Sequence, residues 1–186
     1  AELAKMIMTA SKYSDGPIFC RYPRGEGEGV DITDIVQDVK IGKGRIIKRG
    51  KDLAILALGT RVGSALKVAD HLLQYNLNIT VADARFAKPI DTQLVEKLWN
   101  EHQKLIIIEE GSAGGFSSHC LHFLSSKDLL NKHDKEIKCL TMPDNFQDHA
   151  SQKEQLAKAG LDTDGLMKVV SKMIPLSNVK NKSITN

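Results

Sequence analysis

Apolar residues in this chain fall into short blocks that alternate between two spacings. Leu53–Leu58 (LAILAL), Ile79–Ala82 (ITVA), Leu105–Ile108 (LIII) and Ile137–Leu140 are compact runs of strand length. Between them, apolar positions recur three and four residues apart, as helix faces do. Val62, Ala65, Leu66, Ala69, Leu72 and Leu73 form one such face, with Asn76 as its expected stop. Leu94, Val95, Leu98 and Trp99 form a second, with Asp91 as the predicted cap, and Phe116, Cys120, Phe123 and Leu124 a third. Two short amphipathic helices are expected near 151–159 and 164–174, with Gly160 as a break, and the polar stretch from Pro175 onward is expected to be loose.

Strands that alternate with helices predict an α/β fold: a three-layer parallel sheet with right-handed crossovers and helices on both faces. The wholly aliphatic LIII run suits a strand covered on both sides. Gly44–Lys48 also reads as a strand and is joined to LAILAL by a tight turn at 49–52, so it is expected to be an antiparallel edge strand. Ligand crevices of such sheets open at the carboxyl ends of the strands. Here that rim is Gly59-Thr60-Arg61, 83–89, 109–115 and 142–148.

The beginning of the chain follows a different plan. Leu3, Met6, Ile7 and Ala10 predict a helix, Ser14-Asp15-Gly16 a turn, and Pro17–Cys20 a buried strand. One helix and one strand cannot close a core. With no initial methionine, the chain reads as cut from a longer protein. The expected division is the end of another domain over 1–29, a linker over 30–42, an α/β domain over 43–174 and a flexible tail over 175–186.

Bulk properties narrow the function. The chain has 186 residues, 41% apolar and 26% charged, with a formal net charge of +3, which suits a globular domain. Acids and bases are interleaved and no basic block carries aromatics, which argues against nucleic acid as a partner. No apolar run reaches the roughly 20 residues that cross a bilayer, and no leader is recognisable, so a cytoplasmic location is expected. Cys20, Cys120 and Cys139 all have apolar neighbours and read as buried thiols.

The candidate chemistry centres on Arg21-Tyr22-Pro23-Arg24-Gly25. Pro23 biases Tyr22 towards an extended backbone. Two rigid guanidiniums at a strand's carboxyl end can converge on a phosphate. Surface pairing with Glu26, Glu28 or Asp31 is the alternative, and the residues alone leave both open.

Other motifs favour structural roles. Gly59-Thr60 lacks the further glycines of a dinucleotide turn, so a tight turn with Thr60 as helix cap is expected. Asp83, Arg85 and Lys88 share a loop, which favours an internal ion pair or a domain contact. Glu109-Glu110-Gly111 followed by Gly114-Gly115-Phe116 sets carboxylates beside a helix start. The acids are expected to occupy those amides themselves. His119 and His122 have two-ligand spacing, but no third or fourth ligand is recognisable. His149 lies in a rim loop.

Taken together, RYPRG, IGKG…LAILALGT, VADARFAKPID, IIIEEGSAGGFSSH and DNFQDHASQ…GLD resemble the carboxyl-terminal portion of the 1-deoxy-D-xylulose-5-phosphate synthases, thiamine-diphosphate enzymes of the transketolase superfamily. The motifs keep the family's order from Ala1 to about Ile174. The resemblance implies that 1–29 ends the domain for the cofactor's aminopyrimidine and that 43–174 is the transketolase carboxyl-terminal domain. It implies a homodimer that uses thiamine diphosphate and Mg2+ to condense pyruvate with glyceraldehyde 3-phosphate. The cofactor's diphosphate motif and the glutamate that activates it have no counterpart here. No cofactor is therefore expected on this piece alone, and it should be inactive. An arginine of RYPRG is implied to hold the aldehyde's phosphate: Arg24 first, Arg21 second. The alternative is the dimerisation module of another transketolase-like protein or a 2-oxoacid dehydrogenase β-subunit.

Overall fold

The computed structural model describes residues 2–23, 38–131 and 134–175. In chain order the elements are α1 (Glu2–Lys12), β1 (Arg45–Lys48), β2 (Leu53–Ala57), α2 (Arg61–Leu72), β3 (Ile79–Asp83), α3 (Thr92–Glu101), β4 (Lys104–Ser112), α4 (Phe116–Ser126), β5 (Glu136–Met142), α5 (Gln152–Lys158) and α6 (Thr163–Met173). The strands form one five-stranded sheet in the order β1-β3-β2-β4-β5. Strands β2 to β5 are parallel, and β1 alone is antiparallel. The α/β fold expected from the alternation of spacings is the observed one.

Alternation along each strand divides the core into two layers. Leu53, Ile55, Ala57, Ile79, Val81, Ile106 and Ile108 pack with α2 and α6 on one face. Ala54, Leu56, Ala82, Leu105 and Ile107 pack with α3 and α4 on the other. Every residue of β2 and β3 is buried, and β2 is continuously apolar while β3 carries Thr80 and Asp83 among its apolar residues. Trp99 fills the second layer, and its indole N–H donates to the Leu129 carbonyl at 3.0 Å. A fully buried side chain of this size contributes about 3–5 kcal/mol against truncation.

The edge strand has an unexpected partner. β1 pairs with β3 and not with β2, which follows it in the chain. The crossover through α2 places β3 directly beside β2, so β1 can reach only the outer side of β3. The turn between β1 and β2 then passes across the start of β3, where Lys51 and Asp52 amides both donate to the Asn78 carbonyl. A Cβ on Gly50 would come within 2.2 Å of that oxygen, which is why glycine is needed there.

Other expectations are adjusted. α2 gives way to a 3-10 turn at Leu73–Tyr75, which leaves Leu73 exposed, and Asn76 ends it in the left-handed conformation. Asp91 caps α3, accepting from the Leu94 amide at 3.2 Å. β4 continues through Glu109 and Glu110 to Ser112, where a loop was expected. Pro17–Cys20 does not form a strand: a strand needs a neighbour for its amides and carbonyls, and among the described residues none runs beside it. Phe19 is 94% exposed and Cys20 is exposed as well, so only Cys120 is a buried thiol and Cys139 is half-buried. Most of the expected linker and of the tail lies outside the described residues.

Candidate functional site

The carboxyl ends of β2, β3 and β4 carry three charged constellations, and strand parity explains two of them. Leu105 and Ile107 face α3 and α4, so Glu109 does too; Ile106 and Ile108 face α2 and α6, so Glu110 follows them. Two adjacent carboxylates are thereby sent to opposite sides of the sheet.

Glu109 is 3% exposed and turns onto the start of α4. Its carboxylate accepts from the Phe116 amide at 3.0 Å and the Ser117 amide at 2.7 Å. Those amides lie at the positive end of the helix dipole, so the charge is stabilised there. Gly111 and Gly115 wrap this carboxylate closely: a Cβ on either would lie 2.4 or 2.7 Å from Oε2. The acid therefore fills the helix start, as the sequence suggested. Burial, with the neighbouring Cys139 and Glu109, pushes the Cys120 thiol up to about 12. Burial also raises Cys139, against a lowering hydrogen bond from Ser117.

Glu110 meets Arg61, whose Nε lies 3.0 Å from its carboxylate. The same guanidinium donates to the Leu161 carbonyl at 2.6 Å, tying the start of α2 to the turn between α5 and α6. The Thr60 hydroxyl donates to Glu110 and does not cap α2. Arg61 is thus a buried structural cation, although its place after β2 had put it on the candidate rim.

The third constellation joins α1 to the rim. Asp83 accepts from the Arg85 amide at 3.0 Å and faces Arg45 at 3.4 Å. Burial raises the Asp83 carboxyl above its ordinary value, and the Arg85 amide and Arg45 oppose that. Arg85 adopts a left-handed backbone with φ 59° and directs its guanidinium to Glu2, 2.8 Å away. Of the two roles expected for this loop, an internal ion pair or a contact with another part of the protein, Arg85 takes the second by pairing with α1.

The remaining candidates are not brought together. Arg21 is exposed in the stretch after α1, and Arg24 lies outside the described residues, as do Glu26, Glu28 and Asp31. His149 is exposed between β5 and α5, and His119 and His122 are exposed on α4. Among the described residues no group of three His, Cys, Asp or Glu side chains could hold a metal ion. No helix among them is long and apolar enough to cross a membrane. Sequence reasoning missed Glu2 and Arg45 as rim residues; a single acid at the start of a helix with no other acid was the available signal.

Comparison with known proteins agrees with the topology. The profile of the transketolase carboxyl-terminal domain matches residues 42–166. The chain belongs to the transketolase C-terminal domain family. Its transketolase-type sheet is also similar to a solved structure titled as a split gene transketolase, inactive beta4 tetramer. That similarity has 27% identity and a TM-score of 0.65, over 75% of this chain and 45% of that one. A transketolase from Campylobacter jejuni subsp. jejuni matches at 19% identity and a TM-score of 0.46, over 74% of this chain and 20% of that one. The chain therefore spans less than half the length of either solved protein. As a transketolase-family domain it is related to thiamine-diphosphate-dependent transferases.

Proposed function

We propose that this chain is the carboxyl-terminal part of a cytoplasmic, homodimeric, thiamine-diphosphate-dependent synthase. It would condense pyruvate with D-glyceraldehyde 3-phosphate to 1-deoxy-D-xylulose 5-phosphate and CO2, feeding isoprenoid, thiamine and pyridoxal synthesis. The observation that carries the reading is the set RYPRG, DARFAKPID and EEGSAGGF, in order, on a chain whose family is that of the transketolase C-terminal domain. In this reading 1–29 closes the aminopyrimidine domain, 30–42 is a linker, 43–174 is the carboxyl-terminal domain and 175–186 is a tail.

The described residues do not suit thiamine diphosphate or Mg2+. Glu109 fills the start of α4, and no cluster of acids has metal-ligand arrangement among them. No chemical step is assigned to this chain through either group. Its part is binding: Arg24, with Arg21 second, would grip the aldehyde's phosphate far from the reacting carbon and so position it. One charge-assisted contact of this kind is worth about 1.5–3 kcal/mol. Arg24→Ala in the intact synthase should therefore raise KM for glyceraldehyde 3-phosphate roughly 10- to 150-fold and leave that for pyruvate nearly unchanged. Equal rises for both substrates would refute the assignment.

A second reading is supported by the assembly of the split gene transketolase, an inactive beta4 tetramer. Here the chain serves chiefly as an assembly module of a transketolase-like protein. Sedimentation of the purified chain tests it: a monomer across the whole concentration range excludes this role.

A further inference from the structure

Helix α1 buries little apolar surface: Ala4, Met6 and Ala10 are half-buried and its other apolar side chains are exposed. Its only buried residue is Thr9. Leu3 and Ile7 stay 46% and 49% exposed, and Met8 is exposed too. Polar contacts take the place of apolar ones. The Thr9 hydroxyl accepts from the Val39 amide at 3.0 Å, and Lys12 pairs with Asp38 at 2.8 Å. At the other end, Glu2 receives two arginines from the rim: Arg85 at 2.8 and 3.3 Å, and Arg45 at 3.2 Å.

Both arginines are themselves held in place. Arg45 extends from the edge strand and reaches Asp83 as well as Glu2. Arg85 keeps a left-handed backbone, uncommon for a residue with a side chain, because the Asp83 carboxylate holds its amide. The Arg85 side chain is only 15% exposed, so its pair with Glu2 is partly shielded from water. Such a pair is stronger than a surface ion pair, yet it weakens when salt shortens the screening length.

We propose that Glu2, Arg85 and Arg45 form an electrostatic latch that fixes α1 to the carboxyl-terminal rim of the sheet, so that α1 docks or releases with charge and ionic strength and not through hydrophobic burial. α1 leads through 13–20 to Arg21, so the latch also sets where that arginine segment begins. The latch is independent of the reaction that the intact protein performs.

Hydrogen exchange of the α1 amides in the intact chain tests it, with the β2, β3 and β4 amides as an internal check on folding. Protection of α1 should fall about tenfold between 0.05 M and 1 M NaCl, where the screening length is roughly 3 Å. At low salt Glu2→Gln should lower it about as much, and Arg85→Gln, which leaves Arg45 on Glu2, should lower it less. The double variant should be no worse than Glu2→Gln alone, because Glu2→Gln already removes the pair that Arg85→Gln breaks. Leu3→Ala and Ile7→Ala should leave protection unchanged. Salt-independent protection, additive losses in the double variant, or a larger loss from Ile7→Ala than from Glu2→Gln would overturn the latch.

Discussion

Removing the buried Glu109 carboxylate is the sharpest test of how the rim is built. Glu109→Ala deletes the acceptor for two amides, Phe116 at 3.0 Å and Ser117 at 2.7 Å, and both residues are buried. Hydrogen bonds to a charged group contribute about 1.5–3 kcal/mol each, and buried amides left unpaired bear the full desolvation cost. Allowing for some water entry, the loss should be about 3–5 kcal/mol. Glu109→Gln keeps one acceptor oxygen but turns an N–H toward the other amide, so about half of that loss is expected. In urea, a slope of about 2 kcal/mol per molar places the Glu109→Ala midpoint about 1.5–2.5 M lower. Gly115→Ala tests the same packing from the other side, since its Cβ would lie 2.7 Å from the carboxylate. It should cost about 1–3 kcal/mol in the parent and less in the Glu109→Ala background, where only the tight 3.1 Å approach to the Ser112 carbonyl remains. A Glu109→Ala protein within about 1 kcal/mol of the parent would refute the claim that this carboxylate holds the start of α4.

Further outcomes follow from other contacts. Asp91 accepts from the Leu94 amide and the Gly44 amide and pairs with Lys43, so Asp91→Ala should lower stability by about 2–3 kcal/mol in a urea titration. A loss under about 0.5 kcal/mol would deny it the role of joining β1 to α3. A maleimide at neutral pH should modify exposed Cys20 quickly and buried Cys120 only on global unfolding, read by peptide mass. The raised Cys120 thiol also gives a pH dependence. An unfolded chain loses this proton near its ordinary 9.0, and the folded one only near 12. The contribution is therefore intact below about 9 and is lost as pH rises towards 12, by about 1.4 kcal/mol per unit. The difference between parent and Cys120→Ala, measured across that window, should show this slope; a flat difference would contradict it.

The element types were legible because each is encoded locally. Apolar runs of strand length marked β2, β3, β4 and β5, three-and-four spacing marked α2, α3 and α4, and Asp91 announced its own cap. The family's motifs made the fold class recognisable as well. The strand over Pro17–Cys20 was misread for the same reason: its residues have strand character, but a ladder needs a neighbour, and local pattern cannot say whether one exists. Glu109 was legible as a helix-start anion because it lies only seven positions before Phe116 in the chain.

Contacts between distant residues were decided by the tertiary structure alone. The partner of β1 depends on where the α2 crossover sets β3, not on anything in RIIK itself. Arg61 finds Glu110 across 49 positions, and Arg85 finds Glu2 across 83. Side-chain spacing repeats every two or 3.6 residues, so it specifies which face a residue occupies. It carries no information about which remote charge will be waiting on that face; sheet order and layer packing supply that, by closing long loops around a shared core.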